Sequence, residues 1–232
     1  VEALTGWWDD LAWGAVTTLA VALAALALGL VWGMAGAGAQ LSRRAPLRAA
    51  GRGFSLVMRG TPELLIILIV YFGSTTALTR AATVWMGERT YLEIPPFAAG
   101  TLALSLVFGG YAAEIIRGAW QAVPKGQVEA AQAIGLRPFA VFRLVRLPQM
   151  ARFALPGLGN HWISLVKDTS LVSVVGLHDL MGYAKMGTSV TRSPFDFYMA
   201  AALIYLALTT GSNLLIRRLE RRVDSERPRG AA

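Results

Sequence analysis

Five long apolar runs leave this chain few folds to choose from. They extend from about Leu11 to Ala39, Phe54 to Leu78, Phe97 to Ile116, Phe153 to Leu177 and Phe197 to Ile216. A helix needs about 20 mostly apolar residues to cross roughly 30 Å of hydrocarbon, and each run supplies that length. Because every backbone polar group must be paired inside lipid, the choice is between helices and a closed barrel. Barrel strands alternate in short segments, whereas these runs are continuously apolar. The expectation is an all-α integral membrane protein with five transmembrane helices. Composition agrees: 55% of the 232 residues are hydrophobic and only 16% are charged, which does not suit a soluble domain.

The cations set an orientation. Arg43, Arg44, Arg48, Arg52 and Arg59 follow the first run; Arg117, Lys125, Arg137, Arg143, Arg146 and Arg152 follow the third; Arg217, Arg218, Arg221, Arg222, Arg227 and Arg229 follow the fifth. The opposite side carries Arg80, Arg89, Lys185 and Arg192. Positive residues concentrate in the cytoplasm, so five spans put the N-terminus outside and the C-terminus inside a bacterial cytoplasmic membrane. Trp7, Trp8 and Trp13 suit an outer interfacial belt. With no cationic n-region before them, a cleaved signal peptide is not expected. The net charge of +8 then faces phospholipid headgroups rather than nucleic acid. From Arg217 the tail reads as a helix end fraying into disorder.

Catalytic chemistry has little to work with. There is no cysteine, no G-x-x-x-x-G-K-[ST] phosphate loop and no G-x-S-x-G elbow, and the histidines are His161 and His178 alone. Metal, thiol and hydrolase readings all lack their groups. Movement of a solute is left as the expected function, with no cofactor on this chain.

One segment breaks the apolar pattern on the cytoplasmic side: "VPKGQVEAAQAIGL", Val123–Leu136. Pro124 and Pro138 fence a helix of two to three turns over Gly126–Leu136. Ala130, Ala131, Ala133 and Gly135 leave one side almost without bulk, so another backbone can approach closely. Interfacial lipid helices favour large apolar residues opposite Lys and Arg, whereas Gly126–Leu136 has no cation and only Val128, Ile134 and Leu136 as modest apolar anchors. It reads as a docking helix that offers Glu129 as its charge.

The run "EAAQAIGLRPFAVFRLVRLP" resembles the cytoplasmic signature of bacterial ABC importer permeases, matched here by Glu129, Ala130, Ala131, Gly135, Leu147 and Pro148. "RGTPELL" at Arg59–Leu65, "YAAEIIRGAWQAVPKGQ" at Tyr111–Gln127 and "ALPGLGNHWISLVKDTSLVSVVGL" at Ala154–Leu177 are similar to the polar amino-acid branch, with its histidine, arginine/ornithine and opine permeases. The resemblance implies the type I importer permease fold and a single permease domain over residues 1–232, with a coupling loop at 118–152. It also implies a second permease subunit, different or identical. Two ATPase subunits holding ATP and Mg and an extracytoplasmic solute-binding protein complete the implied assembly. Glu129, Ala130, Ala131 and Gly135 would then meet the ATPase.

Ionisable groups within spans are expensive and point to function. Lys167 and Asp168 interrupt an apolar run, followed by Thr169 and Ser170; they serve either a solute path or a pair that holds a broken helix together. Glu114 can pair with Arg117 at i,i+3 or meet solute. Glu63, after Thr61 and Pro62, makes a good helix start with Thr61 as cap. By the family pattern, many relatives with neutral substrates carry an apolar residue there, so the resemblance implies a cationic solute, a basic amino acid or an opine. Gly29 and Gly33 form a small-xxx-small pair. A secondary transporter or passive channel is the rival reading; the first usually shows internal repeats, and none is visible.

Overall fold

The computed structural model describes residues 2–86 and 92–225 and contains only helical elements among them. Arg89, Arg227 and Arg229 lie outside the described residues. The order is α1 (Trp8–Gln40), α2 (Ala45–Gly60), α3 (Glu63–Met86), α4 (Pro96–Ala122), α5 (Lys125–Ala133) and α6 (Pro138–Val141). A π turn (Phe142–Arg146) leads into α7 (Leu147–Asp168), a 3-10 segment (Thr169–Val175), α8 (Leu180–Thr191) and α9 (Pro194–Ser225). Four helices, α1, α3, α4 and α9, are long and apolar enough to cross a membrane. The fifth, α7, has 22 residues, about 33 Å at 1.5 Å per residue. It carries Arg152, Lys167 and Asp168 and packs against α4 and α9.

The boundaries differ from the sequence expectation in three places, each for a local reason. The second run is two helices. Pro62 has no N–H and disfavours helical backbone in its predecessor, so Thr61 is extended at φ −106°, ψ 137°. Thr61 therefore closes α2, donating its N–H to the Val57 carbonyl, while the first amides of α3, Leu65 and Ile66, bond to Pro62. Thr61 is thus a C-cap and not the N-cap the sequence suggested. The fourth run leaves α-helical geometry after Asp168 and continues as the 3-10 segment, which stops at Gly176 with φ 91°. Finally, α9 stays helical through Ser225, so Arg217–Arg222 do not fray.

The main core joins α1, α3, α4, α7 and the 3-10 segment around Phe108, Leu104, Ile67, Leu165 and Val172. Its tightest seam is α1 against α4, the most extensive helix pairing in the molecule. A Cβ at Gly33 would lie 2.5 Å from the Ala112 Cβ, and one at Gly29 would lie 2.7 Å from the Phe108 ring. From the other side, a Cβ at Gly109 would sit 2.5 Å from Trp32. Lipid gives helices no hydrophobic reason to associate, so close backbone packing carries the seam. Gly33→Leu should therefore cost about 1–3 kcal/mol by overpacking, read as a lower melting temperature of the detergent-purified chain. Gly38→Leu, where nothing lies within 4 Å, should not lower it.

A second cluster anchors α8 on α1 and α9 through Leu11, Leu180, Ala184 and Phe197. At its centre Asp179 is wholly buried and caps α8, one oxygen accepting the Gly182 N–H at 2.8 Å. Beside it the Leu180 N–H donates to Thr18 Oγ1 at 3.3 Å. Burial pushes the Asp179 carboxyl up to about 7, against hydrogen bonds that favour the charge. In the unfolded chain an aspartate loses its proton near pH 4. Between about pH 4 and 7 the unfolded chain therefore binds fewer protons, and folded stability falls as pH rises through that window. Asp179→Asn keeps an acceptor for Gly182 and should flatten this part of the profile of melting temperature against pH.

Candidate functional site

The break between α2 and α3 places charge at the edge of the core. Glu63, the first residue of α3, is half-buried, and the turn after it sends Ile66, Ile67 and Tyr71 into the main cluster with Phe108 and Leu165. Across from it, α7 presents His161 and Asp168. Seven residues apart on one helix, these two share a face. Glu63 is close enough to act electrostatically on both His161 and Asp168. The His161 ring stacks on Phe108 with centroids 5.3 Å apart and lies 4.0 Å from the Tyr111 ring. Arg59, in the last turn of α2, holds its guanidinium 5.5 Å from the other aromatic partner, Tyr111, and its charge reaches His161 and Glu114.

Of the charges singled out in the sequence, Glu63 and Asp168 lie within electrostatic reach of each other. Lys167 makes no ion pair with either, although its charge also reaches Asp168. One residue along α7 turns the side chain by about 100°, so Asp168 is half-buried while Lys167 is exposed. No Lys167–Asp168 ion pair forms within 4 Å among the described residues. Thr169 is buried and its hydroxyl donates to the Val166 carbonyl at 2.8 Å. Ser170 offers its carbonyl to the Ser173 hydroxyl, also at 2.8 Å. The backbone freed at the end of α7 is therefore satisfied by Thr169 and Ser173, without help from Lys167. Glu114 is engaged by the Arg117 guanidinium at 2.6 Å, and Arg117 also reaches Gln121 at 3.1 Å. Two members of the cluster, His161 and Arg59, escaped the sequence reading. In the sequence His161 stands only as a histidine that lacks metal or hydrolase partners, although its seven-residue spacing to Asp168 is a usable signal.

The second candidate region is α5. Val128 and Ala131 turn inward and pack with Val123 and Val141, joined by Leu136, Val145 and Met150. Glu129, Ala130 and Ala133 turn outward, and Ile134 is 78% exposed. The small residues thus do not form one approach surface, because Ala131 belongs to the internal face. The helix ends in a Schellman motif: the Leu136 N–H reaches the Ala131 carbonyl and the Gly135 N–H reaches Gln132. That geometry requires a left-handed residue, and Gly135 has φ 86°. Nothing within the chain crowds Gly135; its role here is backbone conformation. A cavity of about 200 Å³ lies under the helix, lined by Trp120, Val128, Gln132, Val141, Phe142 and Arg146. Arg146 sits 4.1 Å over the Trp120 ring. Through these contacts α5 is fixed to the end of α4 and the start of α7.

Comparisons with known proteins fit this arrangement. Residues 27–225 match the family model described as binding-protein-dependent transport system inner membrane component. The chain is 49% identical to the nopaline transport system permease protein NocQ of Agrobacterium fabrum, over 90% of this chain and 88% of that one. It is 39% identical to the arginine ABC transporter permease protein ArtQ of Escherichia coli K12, over 91% and 94%. Among solved structures, an amino acid ABC transporter crystallised with histidines superposes with a TM-score of 0.80 at 32% identity, covering 95% of this chain and 97% of that one. The chain belongs to the binding-protein-dependent inner membrane components, as a multi-pass ABC importer permease of the polar amino-acid and opine branch.

Proposed function

We propose that the chain forms one half of the solute pathway of an ATP-driven importer and moves a basic amino acid or an opine into the cytoplasm. The observation that carries this reading is the charge at the helix break: Glu63 opens α3 half-buried, within electrostatic reach of His161 and Asp168 on α7. Two carboxylates within electrostatic reach in a span are costly unless cations neutralise them, and a guanidinium or ammonium solute supplies one. The second half is a further permease subunit, most simply a different chain. The N-terminus faces outward, where an extracytoplasmic binding protein delivers solute, and the C-terminus faces two ATP-binding subunits that hold ATP and Mg.

The work is mechanical. Glu129, Ala130, Ala133 and Ile134 on the outer face of α5 engage an ATPase subunit, with Gly135 fixing the end of the helix. Closure of the nucleotide-binding dimer displaces α5, and with it the ends of α4 and α7 to which α5 is packed. Met150 touches that cluster, and His161 lies about 16 Å further up the same helix at 1.5 Å per residue. Tilting α7 shifts His161 and Asp168 relative to Glu63 on α3, a switch between two packings. Calorimetry on the cognate binding protein tests the substrate assignment: binding of arginine or nopaline supports it, and exclusive binding of a neutral amino acid refutes it.

A further inference from the structure

We propose that Arg59 is a specificity-determining residue that binds the carboxylate of the solute while Glu63 and Asp168 hold its cationic end. This rests on the pathway reading above. Three observations on Arg59 carry it. It lies in the last turn of α2, two residues before the Thr61–Pro62 break, with Glu63 opening α3 just beyond, so positive and negative charge flank one interruption of the backbone. The guanidinium lies over the Tyr111 ring, whose other neighbour is His161, so Arg59 shares an aromatic shelf with the acidic cluster. Among the described residues Arg59 makes no ion pair within 4 Å; its charge reaches Glu114, but that carboxylate is tied to Arg117 at 2.6 Å.

A guanidinium is always charged and presents donors in a fork that matches a carboxylate. Arg59 is exposed in the single chain, and held over a tyrosine ring it keeps its edge free for an anion. The charge layout, cation on the α2 side and acids on the α3 and α7 sides, is complementary to a solute with both a carboxylate and a distant cation. Arginine and the opines are such molecules. Agmatine, arginine without its carboxylate, is not.

The test is equilibrium binding of radiolabelled arginine to the assembled permease–ATPase complex without binding protein, with agmatine as competitor. The wild type should prefer arginine by at least about tenfold, the effect of one charged hydrogen-bonded contact. Arg59→Gln should weaken arginine by a similar factor and leave agmatine unchanged, so that the preference collapses. Arg59→Lys, which keeps the charge but loses the fork, should fall between. Equal weakening of both ligands, or no change in the preference, overturns the assignment. So does loss of a second permease subunit from the purified Arg59→Gln complex, since Arg59 would then pair across the subunit interface. If the wild type binds neither arginine nor nopaline, the pathway reading fails first.

Discussion

Glu129→Lys is expected to reduce ATP-driven uptake by at least about tenfold, with the chain still inserted in the membrane and its melting temperature unchanged. The residue is exposed on the outer face of α5 and touches none of the cluster that seats the helix. Reversing its charge therefore leaves the chain's own packing alone. Its effect falls on the docked ATPase, where a like-charge or unpaired contact costs several kcal/mol. Co-purification of the ATPase subunits should drop in parallel. Gly135→Trp should have a related outcome by another route. A side chain at φ 86° costs about 1–2 kcal/mol and opens the Schellman end, so Ile134 and the outer face change position. The chain alone has room for the bulk, which makes backbone geometry the larger intrinsic effect. Unchanged pull-down and uptake in both variants would remove α5 from the coupling path.

Glu63→Gln is expected to lower uptake of arginine or nopaline by about ten- to a hundredfold, the range for losing one charge-assisted contact. ATPase association should persist, because Glu63 is far along the chain from α5 and belongs to the α3 end of the core. Asp168→Ala should behave similarly. If the charges only held the scaffold together, both variants would alter melting temperature and leave transport per assembled complex intact. Lys167, exposed and without an ion pair to Asp168, provides the contrast: Lys167→Gln should change solute binding to the complex far less than Glu63→Gln.

The five apolar runs were legible in the sequence because hydropathy over 20 residues is a coarse signal that local irregularity does not erase. What hydropathy could not register is where a run changes geometry. Thr61–Pro62 cuts the second run without any loss of apolarity beyond it, and the fourth run winds into a 3-10 segment while remaining Leu- and Val-rich. Both interruptions border charged candidates, Glu63 in one case and Asp168 in the other. Broken helices are tolerated at membrane depth only where protein or water lines them, so these breaks are themselves part of the candidate site. The docking helix was visible from its small residues and flanking prolines, but which small residues face inward was not. Ala131 goes to the core because it falls three residues after Val128, on the same face. Gly135 was read as a close-approach residue, whereas its positive φ fixes the helix end. In the sequence Arg59 is one more cytoplasmic cation; only the structure shows that it shares the Tyr111 ring with His161.

The most direct test of the account is uptake of labelled arginine and nopaline into proteoliposomes containing the complete permease–ATPase assembly. Uptake of one of them should require both ATP inside and the solute-loaded binding protein outside, and should be unaffected when ion gradients are collapsed. Uptake that persists without ATPase and binding protein, and follows an ion gradient, would contradict the central claim.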